Sequence, residues 1–209
     1  NKIKNNIDSL RLSPNQYLII LICFFLNVID GVDVLIMSYT APVITSDWSI
    51  SSNTLGIVFS SGLLGMAIGA LLLAPQADYI GRKKIILISV IIISSGVFFT
   101  GFSKNIYHLI TLRFFSGIGI GAMLATTASI VSECTPSRSK DFWISFILAG
   151  YPIGAILAGY VSNIIIDIYG WEYVFFIFGA ISLFFIPIVY FLMSESIVFL
   201  KINKKKNQT

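Results

Sequence analysis

The chain has 209 residues, 56% of them hydrophobic and only 11% charged, with a mean hydropathy of +0.87. That is too few charges to coat a water-soluble globule, in which about a quarter of residues are charged. Its net charge of +4, two cysteines (Cys23, Cys134) and single histidine (His108) give no disulfide framework and no metal-ligand spacing, so no metal and no cofactor is expected apart from a coupling ion.

The first 16 residues are polar and carry Lys2, Lys4 and Arg11, which reads as a cytoplasmic N-terminal segment. The apolar block that follows, 17–44, is too long for a signal-peptide core and contains two aspartates. Five more blocks come after it, at 54–73, 85–102, 106–131, 142–166 and 173–193. About 20 apolar residues span a ~30 Å hydrocarbon core as a helix, and a lipid-facing span must satisfy its own backbone hydrogen bonds. The ~10-residue alternating segments of an outer-membrane barrel are not seen. The expected fold is therefore all-α, a six-helix transmembrane bundle over 17–193. Residues 194–209 read as the cytoplasmic start of a central loop. A first residue Asn1 and a lysine-rich end, Lys204 to Lys206, are taken to mean that the chain is truncated.

The basic residues set the expected topology. With a cytoplasmic N-terminus, 12 of the 14 Lys and Arg residues fall inside: Lys2, Lys4, Arg11, Arg82, Lys83, Lys84, Arg138, Lys140, Lys201, Lys204, Lys205 and Lys206. Only Lys104 falls in an outer loop, and Arg113 lies within a helix. This split obeys the positive-inside rule and explains the basic balance without a nucleic-acid partner. A multi-pass protein of a plasma membrane or bacterial inner membrane is expected, with both termini of the chain cytoplasmic. Trp48, Tyr107, Tyr169 and Trp171 fall near the outer boundary, where amphipathic rings anchor.

Three charges stand inside apolar blocks: Asp30, Asp33 and Arg113. Each costs about 2.5–3.5 kcal/mol at mid-membrane on insertion scales, so it marks a function or a partner. Asp30 and Asp33 are three residues apart and share a helical face. At 1.5 Å per residue, Asp30 and Arg113 reach about the same depth, ~10 Å from the outer side. A carboxylate–guanidinium meeting inside the bundle is expected. One reading is that the three residues only hold helices together. The other is that the aspartates take up a proton and Arg113 attracts an anion. Burial favours a neutral carboxyl and a guanidinium an ionised one, and the sequence leaves that balance open. Gly65/Gly69, Gly117/Gly121 and Gly150/Gly154 form G-x-x-x-G pairs, expected to let helices pack closely.

The segment Ala74-Pro75-Gln76-Ala77-Asp78-Tyr79-Ile80-Gly81-Arg82-Lys83-Lys84, read as the loop between the second and third helices, resembles the G-x-L-A-D-R-x-G-R-K signature of the major facilitator superfamily. Ala74 replaces its glycine and Tyr79 a basic residue. Arg113 with Gly117, Gly119 and Gly121 resembles the fourth-helix R-x-x-x-G-x-G-x-G pattern, and Glu133, Pro136, Arg138 and Lys140 the cytoplasmic loop that follows. Gly170-Trp171-Glu172-Tyr173-Val174-Phe175 resembles G-W-R-x-x-F, with Glu172 for the basic residue; Ser194-Glu195-Ser196 resembles P-E-S without its proline. Asp30-Gly31-Val32-Asp33 resembles the D-G-x-D of the aromatic acid:proton symporters, with Val32 where an aromatic is usual.

This resemblance implies two inverted three-helix repeats, forming half of a twelve-helix fold. It implies proton coupling at Asp30 and Asp33, and substrate binding by Arg113, Asp30 and Asp33. It also implies a conformational switch around Asp78, Gly81, Arg82, Lys83, Glu133 and Arg138. The expected activity is proton-coupled import of a small organic anion, an aromatic carboxylate such as 4-hydroxybenzoate or benzoate. The expected partners are that anion, membrane lipid and a missing C-terminal six-helix half. The alternatives are a symporter for a dicarboxylate or sugar, an efflux antiporter, and more remotely a non-transporting sensor or interaction subunit. No enzyme is expected, since no nucleophile–base pair, metal cluster or phosphate loop stands in the polar segments.

Overall fold

Six helices form the bundle in the computed structural model, which describes residues 12–196 and residue 199. They are α1 (Pro14–Trp48), α2 (Ser52–Ile80), α3 (Arg82–Thr100), α4 (Ile106–Cys134), α5 (Lys140–Tyr169) and α6 (Trp171–Leu192). Each is long and apolar enough to cross a membrane. Among the described residues there is no strand. Lys2, Lys4, Arg11, Lys201, Lys204, Lys205 and Lys206 lie outside the described residues.

Several boundaries differ from the sequence reading, for local reasons. The signature segment is not a loop. Helix α2 passes through a π-helical turn at Gly69–Leu73 and a 3-10 turn at Ala74–Gln76, then runs as α-helix to Ile80. Gly81 alone breaks the path to α3, at φ 110°, a conformation that favours glycine. Gly170, at φ 96°, is likewise the only non-helical residue between α5 and α6. Polar side chains in both segments looked like loops, but the backbone stays helical up to the glycine. Helix α1 continues past 44 to Trp48 and stops at Ser49 in the left-handed region. Cys134, read as a loop residue, ends α4 and is buried. Trp171 is no interfacial anchor: it is 2% exposed and packs edge-on against Trp48 with centroids 5.5 Å apart.

The glycines set how the helices cross. A Cβ on Gly154 would lie 2.8 Å from the Val28 carbonyl carbon, and one on Gly31 2.8 Å from that of Tyr151, so α1 and α5 touch backbone to backbone. A Cβ on Gly150 would meet the Phe24 carbonyl oxygen at 2.6 Å. At the second crossing, Gly121 faces Met66 and Gly69 faces Ile118, each with a carbonyl carbon 2.7 Å from the missing Cβ. Gly65 and Gly117 oppose Phe114 and Gly62, at 3.1 Å to the carbonyl carbon in each case. Exchanging the first three helices for the last three maps the α1–α5 crossing onto α4–α2 and the α3–α6 packing onto itself, the pattern of two inverted repeats. Helices α1 and α4 are the most enclosed, and α2 and α5 the most exposed.

Candidate functional site

Asp30 and Asp33 flank the middle of α1 and are 0% and 1% exposed. Gly31 between them lets α5 approach over the same turn. From α4, Arg113 reaches across the bundle, and its Nη1 lies 2.8 Å from Asp33 Oδ1 and 3.3 Å from the Asp33 carbonyl oxygen. The carboxylate that meets the guanidinium is therefore Asp33. Asp30, three residues earlier, forms no ion pair among the described residues. The two aspartates share a face, so sequence spacing could not choose between them.

Two further residues hold the guanidinium. Arg113 Nη2 donates to Thr100 Oγ1 at 3.2 Å, and that hydroxyl donates to the Gly96 carbonyl at 2.7 Å. The Phe175 ring lies under the guanidinium, 5.6 Å from its centroid, in cation–π range. The sequence points to Phe175 only as the last position of the G-W-R-x-x-F resemblance, without a role, and does not point to Thr100. Helices α1, α3, α4 and α6 thus converge on one side chain.

The set is under-satisfied. Both carboxyl oxygens of Asp30, Asp33 Oδ2 and Arg113 Nε are buried without a hydrogen-bond partner among the described residues. Buried polar atoms of native proteins are nearly all paired, so four in one cluster need an explanation such as a bound proton, water or ligand. Beside the pair lies a mostly apolar cavity of about 150 Å³ between α1, α2 and α4, lined in part by Asp33, Arg113, Ser116, Phe59 and Met66. Complete small-molecule pockets are roughly 300–1,000 Å³. An anchored cation at the edge of a small apolar cavity suits an anion carrying an apolar body.

A second charged cluster lies at the end where α2 meets α3. Arg82 Nη2 is 2.6 Å from Asp78 and 2.7 Å from Glu133. Its Nε donates to Glu133 at 3.1 Å, and Nη1 donates to the Ala77 carbonyl at 2.9 Å. Glu195 caps α3, accepting from the backbone N–H groups of Arg82 and Lys83 at 2.9 and 3.2 Å, where the helix dipole favours a carboxylate. Its carboxylate packs against Gly81, and Ser196 Oγ donates to Glu133. Lys83 Nζ donates to the Tyr190 carbonyl at 2.7 Å. Arg138 is exposed and joins no ion pair among the described residues, so it stands apart from the expected switch group. Glu195 had been noted from sequence without a role. His108 is exposed near the start of α4.

Among the described residues, no group of three or more His, Cys, Asp and Glu side chains is placed to hold a metal.

Residues 21–208 match the family model of the Major Facilitator Superfamily. The chain is 35% identical over 198 residues to a gallate transporter of Pseudomonas putida, covering 95% of this chain and 44% of that protein. It is 36% identical over 148 residues to the 4-hydroxybenzoate transporter PcaK of Pseudomonas aeruginosa, covering 71% of this chain and 33% of that one. The chain therefore spans less than half the length of these relatives. Its fold is similar to that of the inward-open xylose transporter XylE from E. coli, with a TM-score of 0.79 at 19% identity over 89% of this chain and 49% of that one. With six membrane-spanning helices and a family match over almost its whole length, the chain is a multi-pass membrane protein that belongs to the major facilitator superfamily.

Proposed function

We propose that this chain forms one half of a secondary active transporter that couples import of a small aromatic carboxylate to inward proton movement. The observation that carries the proposal is the buried Asp33–Arg113 pair with the unpartnered carboxyl of Asp30 one turn away. The similarity to transporters named for gallate and 4-hydroxybenzoate supports the substrate class.

The chemistry follows from charge balance. An unpaired charge in a dry bundle is expensive, so Arg113 keeps a carboxylate partner at every stage. A proton taken up by Asp30 cancels the negative charge beside the Asp33–Arg113 pair, so that an anion can approach the guanidinium. The carboxylate of the substrate then binds at the open edge of the guanidinium, whose Nε has no partner among the described residues and whose planar fork suits a carboxylate. One anion and one proton enter together, and the site's net charge is unchanged. The ring of the substrate lies in the apolar cavity beside the pair.

The other wall of the path comes from a second six-helix half, which meets the exposed apolar faces of α2 and α5; the remaining apolar surface faces lipid. Rocking of one half against the other opens the site alternately to each side. The Arg82 cluster holds the ends of α2, α3, α4 and the segment after α6 together, and acts as the switch between those states. By the basic-residue asymmetry, that end is cytoplasmic.

The test is uptake of labelled 4-hydroxybenzoate by vesicles containing the full-length protein, with and without an inward proton gradient. Accumulation that requires the gradient is expected. Equal uptake with and without it removes proton coupling. No uptake of 4-hydroxybenzoate, benzoate or gallate by intact vesicles removes the aromatic carboxylates and moves the assignment to dicarboxylates.

A further inference from the structure

Toward the basic end, one turn along α1 from Asp30, lies Asn27. It is 0% exposed and packs under the α5 crossing, its Cβ 3.3 Å from where a Gly150 Cβ would stand. A neutral amide this deep requires partners for both its oxygen and its nitrogen. Asn27 Nδ2 donates to the Cys23 carbonyl at 2.8 Å. That bond fixes the orientation of the amide, because the flipped form would set oxygen against oxygen. Asn27 Oδ1 is left buried with no hydrogen-bond partner among the described residues.

Asn27 and Asp30 stand at i and i+3, neighbours on one helical face. Asn27 Oδ1 and both carboxyl oxygens of Asp30, about one turn apart along that face, are buried acceptors without donors among the described residues. One hydrogen on the Asp30 carboxyl can give Asn27 Oδ1 a donor and leaves one Asp30 oxygen without one. We propose that Asn27 is a positioning residue for the coupling proton, its Oδ1 accepting a hydrogen bond from the protonated carboxyl of Asp30. An ionised Asp30 has no hydrogen to give, so Asn27 stabilises only the proton-loaded form. This role rests on the proton-coupled reading above and adds a residue to it.

The other groups facing Asp30 are Asp33 on α1, Arg113 from α4 and Tyr151 from α5. Helix α6 presents Phe178, Ile181, Ser182 and Phe185 beside Ile29 and Val32, with no ionisable group there. Arg113 is already engaged by Asp33 and Thr100, and one of the two Asn27 amide hydrogens by the Cys23 carbonyl.

The sign of the effect is fixed by which form is bound. Losing the acceptor weakens the proton-loaded form, so the proton leaves at lower pH and the pH of half-maximal uptake falls. A net hydrogen bond of about 0.5–1.5 kcal/mol corresponds to a fall of roughly half to one pH unit. The experiment is uptake of labelled 4-hydroxybenzoate by the full-length protein in proteoliposomes at fixed membrane potential, between about pH 5 and pH 9. Wild type is compared with Asn27→Leu, which removes the acceptor, and Asn27→Gln, which keeps an amide.

The expected result is a midpoint lowered by roughly half to one pH unit in Asn27→Leu and restored toward wild type in Asn27→Gln. If Asn27→Leu does not fold, Asn27→Ser carries the same comparison: its shorter side chain holds the hydroxyl back from Asp30 and the midpoint again falls. Variants that lose rate at every pH without moving the midpoint overturn the role of Asn27 while leaving proton coupling in place. A flat wild-type profile overturns proton coupling, and the Asn27 role with it.

Discussion

Two arginines organise this bundle, and they are finished to different degrees. Around Arg82, all three guanidinium nitrogens have partners, supplied by Asp78, Glu133 and the Ala77 carbonyl. Around Arg113, Nε has no partner among the described residues, and neither do Asp33 Oδ2 and both oxygens of neighbouring Asp30. A saturated network is rigid and has nothing left to offer, whereas a buried network with open positions is costly and is retained where something must bind. On the proposed reading, that difference makes Arg82 part of a clamp and Arg113 part of a site.

Substitutions ranked by expected effect can break that distinction. Arg113→Leu should be the most severe, since it leaves the Asp33 carboxylate buried and alone; about 3–5 kcal/mol of stability is at stake. Pairing it with Asp33→Leu removes the stranded charge and should recover much of the folding without recovering uptake. Thermal unfolding in detergent and vesicle uptake, measured side by side, separate the two effects. Recovery of uptake in the double variant would mean that the pair is only structural. Next comes Glu133→Ala, which strips Arg82 of two hydrogen bonds and Ser196 of its acceptor; about 2 kcal/mol is expected, with substrate binding kept. Glu195→Ala removes the cap of α3 and should cost about 1 kcal/mol. The smallest effect belongs to Asp78→Asn, since the Asp78 side chain is 68% exposed and exposed pairs are worth about 0.2–1 kcal/mol. A loss of binding affinity from any of the three at the Arg82 end would erase the contrast.

Much of this is legible in the sequence. Asp30, Asp33 and Arg113 stood out because water-loving groups do not enter a ~30 Å hydrocarbon layer without a reason. Gly154 and Gly121 stood out because their spacing permits backbones to touch. The choice of Asp33 over Asp30 as partner was not legible, since it depends on helix rotation and on the direction a long side chain takes. Thr100 lies in an ordinary apolar stretch and Phe175 stands out only as the end of the G-W-R-x-x-F resemblance, so the role of each appears only when α3 and α6 bring it to the same guanidinium. The signature segment misled because Gln76 and Asp78 look like loop residues, whereas the backbone remains helical until Gly81. Glu195 acts on residues over a hundred positions earlier, a distance at which sequence pattern alone carries no signal.

The claim at the centre is that Asp30 carries the coupling proton, and Asp30→Asn tests it most directly. An asparagine mimics the protonated carboxyl in shape and charge but cannot release a proton. Proteoliposomes bearing wild type or Asp30→Asn would be assayed for proton-driven accumulation of labelled 4-hydroxybenzoate and for exchange against internal unlabelled substrate. The expected result is loss of accumulation with exchange retained. Accumulation by Asp30→Asn at the wild-type level under the same gradient would contradict it.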